Sequence, residues 1–174
     1  MNNIILIGFM GVGKGRTART LAQNTDLFAI DTDDLIESLA KNKIRAIFAD
    51  QGETGFRALE QRVASWINEH VRETIISTGG GFYQVENLRD LGTIVYLHGS
   101  VEYIIEKIME HPNAKKKIKK RPLLSDIEKA KELFNSRLPQ YRSLADHIID
   151  IEGKSVEEVS GDIITLLKLE RRPQ

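Results

Sequence analysis

The stretch Gly8-Phe9-Met10-Gly11-Val12-Gly13-Lys14-Gly15-Arg16-Thr17 decides the fold of this 174-residue chain. It follows an apolar run at 4–7 that predicts a buried strand, and it leads into an amphipathic pattern that predicts a helix. Glycines let backbone N–H groups converge on phosphate oxygens, and the positive end of the following helix dipole adds to the attraction. We therefore predict a nucleotide-binding loop in which Lys14 reaches the β- and γ-phosphates. Its contact residues would be Gly11, Val12, Gly13, Lys14, Gly15 and Arg16.

Position 15 departs from the usual pattern of such loops, in which Gly-Lys is followed by Ser or Thr. The hydroxyl of that residue normally holds Mg²⁺, and Gly15 has no side chain to do so. Thr17 lies about 200° further around a helix, so we do not expect its hydroxyl to substitute. Arg16 either adds positive charge near the phosphates or points into solvent. Two interpretations stay open at this point: an enzyme that works without the hydroxyl, and an impaired copy.

The order of elements predicts an α/β fold. Five short apolar runs predict buried strands, at 4–7, 28–30, 74–77, 93–97 and 147–151. Six amphipathic stretches predict helices, at 14–23, 34–40, 56–71, 101–109, 126–138 and 156–167. Strands that alternate with helices predict a three-layer α/β/α arrangement with a five-stranded parallel sheet. We expect one domain over 1–174, with a polar, lysine-rich segment at 111–124 as a mobile lid.

Composition narrows the classes of partner. Lys and Arg number 25, as do Asp and Glu, and a net charge of zero argues against nonspecific nucleic-acid binding. The chain has no cysteine, which excludes disulfides and cysteine-ligated metal sites. We see neither a signal-peptide pattern nor an apolar run near the roughly 20 residues that span a bilayer. We therefore expect a cytoplasmic monomer that binds neither membranes nor nucleic acids.

Acidic residues follow the second predicted strand, at Asp31, Asp33 and Asp34. The carboxyl ends of strands are where ligands bind in an open α/β sheet. If the chain stays extended, Asp31 and Asp33 lie on one face, with one carboxylate for Mg²⁺ and the other for substrate. The alternative is that Thr32 or Asp33 simply caps the next helix.

Further along, the segment Gly52-Glu53-Thr54-Gly55-Phe56-Arg57-Ala58-Leu59-Glu60 resembles the G-E-x-x-F-R-x-x-E motif of shikimate kinases. Other motifs of that family follow the same order: Asp31-Thr32-Asp33, Thr78-Gly79-Gly80-Gly81, Arg121-Pro122-Leu123-Leu124 and Arg137-Leu138-Pro139-Gln140-Tyr141. The similarity runs from the first strand to about residue 151. It implies a phosphate-loop kinase fold and phosphorylation of the 3-hydroxyl of shikimate by ATP with Mg²⁺.

The resemblance also implies roles for individual residues. Arginine pairs bidentately with carboxylates, so Arg57 and Arg137 would bind shikimate, with Glu60 holding Arg57 in place. The acceptor would sit against a helical region at about 33–60, where Asp33 orients the attacking hydroxyl. Gly79, Gly80 and Gly81 would let substrate approach and offer N–H donors. Asp31 would serve Mg²⁺, and Arg121 on the lid would stabilise charge on the transferring phosphoryl group and contact ATP.

Two other functions stay open beside an active shikimate kinase. One is an impaired homologue that still binds ATP or shikimate, since Gly15 and Arg16 both depart from the family pattern. The other is a related small-molecule kinase with a different acceptor. Phe48 and Phe56 are either an apolar wall for substrate or plain core, and Trp66 is expected in the core. The four histidines, His70, His98, His111 and His147, show no metal-ligand spacing.

Overall fold

Five parallel strands form one sheet at the centre of the molecule. The computed structural model describes residues 2–110, 112–114, 124 and 126–172. The strands are β1 (Asn3–Ile7), β2 (Phe28–Asp31), β3 (Thr74–Ser77), β4 (Gly92–His98) and β5 (His147–Asp150), and they lie in the order β2-β3-β1-β4-β5. All four neighbouring pairs are parallel. The predicted five-stranded parallel sheet is confirmed.

Helices cover both faces of the sheet, as the α/β prediction required. They are α1 (Lys14–Asn24), α2 (Thr32–Ala40), α3 (Ile44–His70), α4 (Val101–Met109), α5 (Ile127–Leu144) and α6 (Val156–Leu167). Two short 3₁₀ turns, Phe82–Gln84 and Leu88–Asp90, lie between β3 and β4. Helix α1 packs on β1, β2 and β3 and against α6, whereas α5 packs on β4 and α4.

The strand order places the functional motifs at one edge of the sheet. Strand β1 is buried along its whole length and pairs with β3 on one side and β4 on the other. A reversal of strand order of this kind opens a crevice at the carboxyl ends of the strands. The glycine loop after β1, the acidic residues after β2 and the glycine turn after β3 therefore meet there.

Helices α3 and α5 extend furthest beyond their predicted bounds, while α1 gains one residue and α2 gains two. Helix α3 begins at Ile44 rather than at 56 and carries a kink at Gly52, where φ is 68° and ψ is −171°. Two glycines, Gly52 and Gly55, hide its first half from a propensity-based prediction, because glycine disfavours helix interiors. Helix α5 continues through Pro139 to Leu144, although its pattern predicted an end at 138. Tertiary packing of its buried residues, Phe134 and Tyr141, outweighs the lost backbone hydrogen bond.

Trp66 is not a core residue, contrary to the prediction. The buried stripe of α3 consists of Phe56, Glu60, Val63, Ala64 and Ile67, and Trp66 lies off it with 45% of its surface exposed. Phe56 is 5% exposed and stacks on Phe48, with ring centroids 4.5 Å apart. Phe56 is thus core, and Phe48 forms its partly exposed cover.

Most of the predicted lid, including His111, Arg121 and Pro122, lies outside the described residues. Leu124, the last residue of its motif, is described and is buried at 2% exposure. A side chain at Gly11 would come within 3.4 Å of it, so Leu124 lies beside the glycine loop. Of the helices that the structure describes, none has the length and apolarity to cross a bilayer.

Candidate active site

The glycine loop leaves the first turn of α1 open. Gly13 is the N-cap residue of α1 and has φ of 106°, a left-handed conformation that favours glycine. It provides no side-chain cap, and the first turn contains no acidic residue. The first N–H groups of the helix therefore point outward without a side-chain acceptor, next to the positive end of the helix dipole. Val12 is 6% exposed and ties the loop to the core. This arrangement suits an anionic phosphate.

Lys14 lies inside the loop rather than in solvent. It is 7% exposed, and its Nζ donates to the carbonyl oxygens of Gly8 at 2.6 Å and Phe9 at 3.1 Å. The loop thus surrounds the ammonium group and fixes its position. A cation held this way presents its charge at the mouth of the loop without a large loss of side-chain entropy on binding.

Asp31 caps helix α2, so the chain does not stay extended to Asp33 and the capping alternative applies, with a different capping residue. Helix α2 begins at Thr32, and Asp31 Oδ1 accepts a hydrogen bond from the backbone N–H of Asp33 at 2.9 Å. The capping residue is therefore Asp31 rather than Thr32 or Asp33. Its other oxygen, Oδ2, accepts from Ser77 Oγ at 2.7 Å, because the register of β2 and β3 places Asp31 opposite Ser77.

Asp33 is the most perturbed carboxylate of the site. Its Oδ1 is buried and has no hydrogen-bond partner among the residues described. Burial raises the pKa of Asp33 to about 6, with further contributions from the negative charge of Asp31 and Glu60, while Lys14 opposes the shift. A desolvated carboxylate with an unpaired oxygen and a pKa near neutrality is suited to accept a proton from a hydroxyl that reaches it.

The turn Gly79-Gly80-Gly81 makes room for charged side chains rather than for substrate alone. A β-carbon on Gly79 would lie 2.7 Å from Asp33 Oδ1 and 3.3 Å from Glu60 Oε1, and one on Gly81 would collide with the Arg57 guanidinium. The N–H of Gly79 donates to Thr32 Oγ1 at 3.1 Å. In this structure that N–H is therefore engaged within the protein, and the role of Gly79 in substrate binding stays a prediction.

The two predicted arginines meet at this turn. Arg57 donates through Nη1 to Glu60 Oε2 and through Nη2 to Glu53 Oε1, at 2.5 Å and 2.8 Å. Arg137 Nη1 donates to the carbonyl oxygen of Gly80 at 3.1 Å. Burial raises the pKa of Glu60, which Arg57 opposes, and the glutamate bonds raise the pKa of Arg57 despite its burial. Two guanidinium groups fixed beside one turn are an arrangement that could pair with a carboxylate.

Sequence reasoning missed several side chains that hold this site together. Tyr141 OH donates to the carbonyl oxygen of Gly80 at 2.5 Å, beside Arg137, and burial raises the pKa of Tyr141 so that it remains a donor. Ser77 and Glu53 were given no role, and Thr32 only that of a possible helix cap. The Glu53–Arg57 pair is an i,i+4 pair that helix periodicity could have signalled. The partners of Thr32, Ser77 and Tyr141 are 46 to 61 positions away, and no local pattern signals such pairs.

A cleft of about 1320 Å³ lies along the glycine loop and the carboxyl ends of β2 and β3. Its wall includes the whole glycine loop from Met10 to Thr17, the three aspartates after β2, and Ser77 to Gly80. Arg16 and Arg19 also border it, and both residues are exposed. Arg57 and Arg137 do not line this cleft; they contact Gly81 and Gly80 of the glycine turn, whose Gly79 lies against Asp33.

Mg²⁺ fits the oxygen donors on the phosphate side. The described residues contain no cluster of three acidic, histidine or cysteine side chains of the kind that encloses a metal. Mg²⁺ does not require one, because it keeps several waters and binds through one or two carboxylates plus phosphates. Asp31 Oδ2 and the Ser77 hydroxyl are hydrogen-bonded to each other, and Asp31, Asp33 and Ser77 line the cleft beside the glycine loop. The donor set is oxygen only, as a hard cation prefers.

Comparison with known proteins gives a consistent result. The shikimate kinase family profile matches residues 10–168. Curated relatives named shikimate kinase include one from Helicobacter hepaticus, 36% identical over 90% of this chain and 91% of its own length. Another, from Caldanaerobacter subterraneus, is 38% identical over 99% of this chain and 100% of its own.

Solved structures agree. The shikimate kinase from Acinetobacter baumannii, determined in complex with shikimate, superposes with a TM-score of 0.84 at 30% identity, over 97% of this chain and 93% of its own. The shikimate kinase from Aquifex aeolicus gives a TM-score of 0.77 at 31% identity, over 95% and 96%. The fold, the order of motifs and the profile match all lead to one conclusion: the chain belongs to the shikimate kinase family, ATP-dependent phosphotransferases that act on an alcohol group.

Proposed function

We propose that this protein transfers the γ-phosphoryl group of ATP to the 3-hydroxyl of shikimate, which yields shikimate 3-phosphate and ADP. The observation that carries the proposal is the position of Asp33. Its unpaired, buried Oδ1 lies between a phosphate-binding loop and a pair of arginines, with a pKa of about 6. Family membership supports ATP as co-substrate with Mg²⁺.

The acceptor side accounts for the choice of substrate. Arg57 and Arg137 would pair with the shikimate carboxylate, and the Glu53 and Glu60 bonds keep the Arg57 fork in a fixed orientation. The same anchoring would bring the 3-hydroxyl to Asp33 Oδ1. As the hydroxyl oxygen forms its bond to the γ-phosphorus, Asp33 accepts the hydroxyl proton. The bond to the β,γ-bridging oxygen breaks, and ADP leaves.

The phosphate side would hold the donor. N–H groups of residues 13–16 and the Lys14 ammonium would bind the β- and γ-phosphates, and Arg16 would add charge from the cleft wall. Mg²⁺, when bound next to Asp31, would neutralise charge on the phosphates and orient them. Arg121 remains our candidate for the lid contact to the transferring phosphoryl group, on the strength of its motif.

The chemistry of the acceptor separates this proposal from a kinase with another substrate. We expect ATP-dependent ADP release with shikimate, and at least about 100-fold lower kcat/KM with its methyl ester, which lacks the charge that two arginines require. A coupled assay of ADP release measures both. Equal rates with the ester, or turnover only with another sugar-like alcohol, would contradict the assigned acceptor.

An impaired homologue is the second candidate, since Gly15 removes a hydroxyl that phosphate loops normally use. The structure has room to restore it: a β-carbon at Gly15 meets its nearest atoms at 3.5 Å, an ordinary contact. We expect Gly15→Ser to lower the Mg²⁺ concentration for half-maximal rate by about threefold, because one hydrogen-bond-sized contribution is added. A rise in that concentration would show that the loop has adapted to glycine.

Tyr141 offers a further test of the turn. In Tyr141→Phe the Gly80 carbonyl keeps only the Arg137 donor, so that arginine is held more tightly against the turn. We expect the KM for shikimate to rise about threefold to tenfold, with the KM for ATP unchanged and a stability loss of about 1 kcal/mol. Steady-state kinetics with each substrate varied in turn, together with urea unfolding, measure these effects.

We also propose one kinase unit over 1–174 that acts as a cytoplasmic monomer. The absence of cysteine in the sequence fits a reducing compartment. Light scattering after gel filtration should give the monomer mass, whereas a dimer mass would contradict the proposal.

A further inference from the structure

Gly15 lacks the hydroxyl that phosphate loops normally use, but the hydroxyl of Ser77 lies close to where that group would be. A β-carbon built on Gly15 would lie 3.5 Å from Asp31 Oδ2 and 3.6 Å from Ser77 Oγ. A serine side chain at position 15 would therefore project toward the same two oxygens. Ser77 is 3% exposed, ends strand β3, and lies in the wall of the cleft beside Lys14 and Gly15.

We propose that Ser77 Oγ supplies the hydroxyl ligand for Mg²⁺ in this chain, next to Asp31 Oδ2. The inference rests on the proposed function, since it concerns the metal that accompanies ATP. It assigns Ser77 the task that a serine or threonine after the loop lysine performs in other phosphate loops.

The hydrogen bonding of Ser77 leaves its oxygen available. A hydroxyl has one donor hydrogen and two acceptor lone pairs. Ser77 Oγ gives its hydrogen to Asp31 Oδ2 at 2.7 Å, and it accepts no hydrogen bond from any residue in the described part of the chain. This bond directs the lone pairs away from Asp31 while the carboxylate keeps its negative charge. The pair can therefore present two oxygens to one cation.

Arg19 is the third side chain next to Gly15, beside Asp31 and Ser77. Its Nη1 would lie 3.5 Å from the same β-carbon, and a guanidinium there competes with a metal ion for Asp31. Arg19 is exposed on α1, so its long side chain is free to move away when a divalent cation binds. Consequently Arg19→Met should tighten metal binding. If Arg19 were instead the cation that serves this site, the same change would weaken nucleotide binding and leave metal binding untouched.

The absence of cysteine makes a direct test available. Mn²⁺, which reports its free concentration by EPR, would be titrated into the protein saturated with ADP, and Cd²⁺ would be measured by competition. We expect Ser77→Ala to raise the Kd for Mn²⁺ about tenfold. Ser77→Cys should weaken Mn²⁺ similarly but tighten Cd²⁺, because a thiolate prefers soft metals and this would be the only thiol in the chain.

Two further variants complete the design. Gly15→Ser in the Ser77→Ala background should return the Kd for Mn²⁺ to within about twofold of wild type, since the hydroxyl is restored from the other side. Ser160→Ala is the matched control, because it removes an equally buried serine hydroxyl from α6 and should leave the Kd unchanged. Unchanged Mn²⁺ affinity in folded Ser77→Ala, or no gain in Cd²⁺ affinity with Ser77→Cys, overturns the proposal. Neither result depends on shikimate turnover, so the proposed function is tested separately.

Discussion

Replacing Asp33 with asparagine should nearly abolish phosphoryl transfer and yet make the folded protein more stable at pH 8. The carboxylate has one buried oxygen without a partner, and burial raises its pKa from 3.8 to about 6. Removing a positioned base lowers kcat by about 10² to 10⁴. Removing an unfavourable buried charge adds up to about 3 kcal/mol to the free energy of unfolding, since a shift of two units corresponds to that amount.

The stability gain from Asp33→Asn should depend on pH. A carboxyl group whose folded pKa exceeds its unfolded pKa costs stability as the pH rises above the unfolded pKa, and the cost is complete once the group is ionised in the folded state. The gain from Asp33→Asn should therefore be full above about pH 7 and disappear toward pH 4. Urea unfolding of both proteins across this range measures it. In wild type, kcat/KM should fall below an apparent pKa near 6.

Asp90→Asn is a suitable control, because Asp90 is an exposed aspartate just before β4 and far from the carboxyl edge of the sheet. It should change neither activity nor the pH profile. Loss of stability in Asp33→Asn at pH 8 would contradict the electrostatic description of the site.

Arg57→Ala should have the largest effect on acceptor binding. The change removes one of two guanidinium groups that face the carboxylate, and the KM for shikimate should rise at least about 100-fold. The KM for ATP should change less than about twofold, since Arg57 lies beyond the glycine turn from the phosphate loop. Steady-state kinetics at fixed saturating ATP measure the first value, and calorimetric titration of ADP checks the second.

This variant also carries a cost to the fold that must be separated from binding. Glu60 has 1% of its side chain exposed and would lose its cationic partner, a change that typically destabilises by about 3–5 kcal/mol. The double variant Arg57→Ala/Glu60→Gln should recover most of the stability but none of the shikimate affinity. Arg62→Ala, an exposed arginine on the same helix, should affect neither. Equal losses of shikimate and ATP affinity in Arg57→Ala would refute the assigned role.

The bounds of several elements were accessible from the sequence because apolar periodicity is a local signal, whereas the main polar residues were predicted from the resemblance to shikimate kinase motifs. Strand β3 and helices α4 and α6 have the predicted bounds, since apolar periodicity specifies them. The start of α3 could not be predicted. The kink at Gly52 and the packing of the first half of this helix depend on contacts that no short stretch of sequence contains. The prediction for Trp66 was wrong for a related reason. Its large apolar side chain was assigned to the core, although it lies off the buried stripe of α3.

The hydrogen bonds that hold the site residues in place could not be predicted from the sequence, because they depend on strand register and on side chains distant in the chain. Asp31 meets Ser77 only because β2 and β3 pair in one particular register. Thr32 reaches the Gly79 N–H for the same reason. These contacts decide which groups of the site are free to bind ligands and which are already engaged.

The most direct test of the account is to identify the product of the reaction. The protein would be incubated with ATP, shikimate and Mg²⁺, and the mixture would be followed by ³¹P NMR. We predict that shikimate 3-phosphate appears in amounts equal to the ADP formed, and that omission of Mg²⁺ or use of Asp33→Asn suppresses both signals together. Release of inorganic phosphate without phosphorylated shikimate, or tight binding of both substrates without turnover, would contradict the central claim.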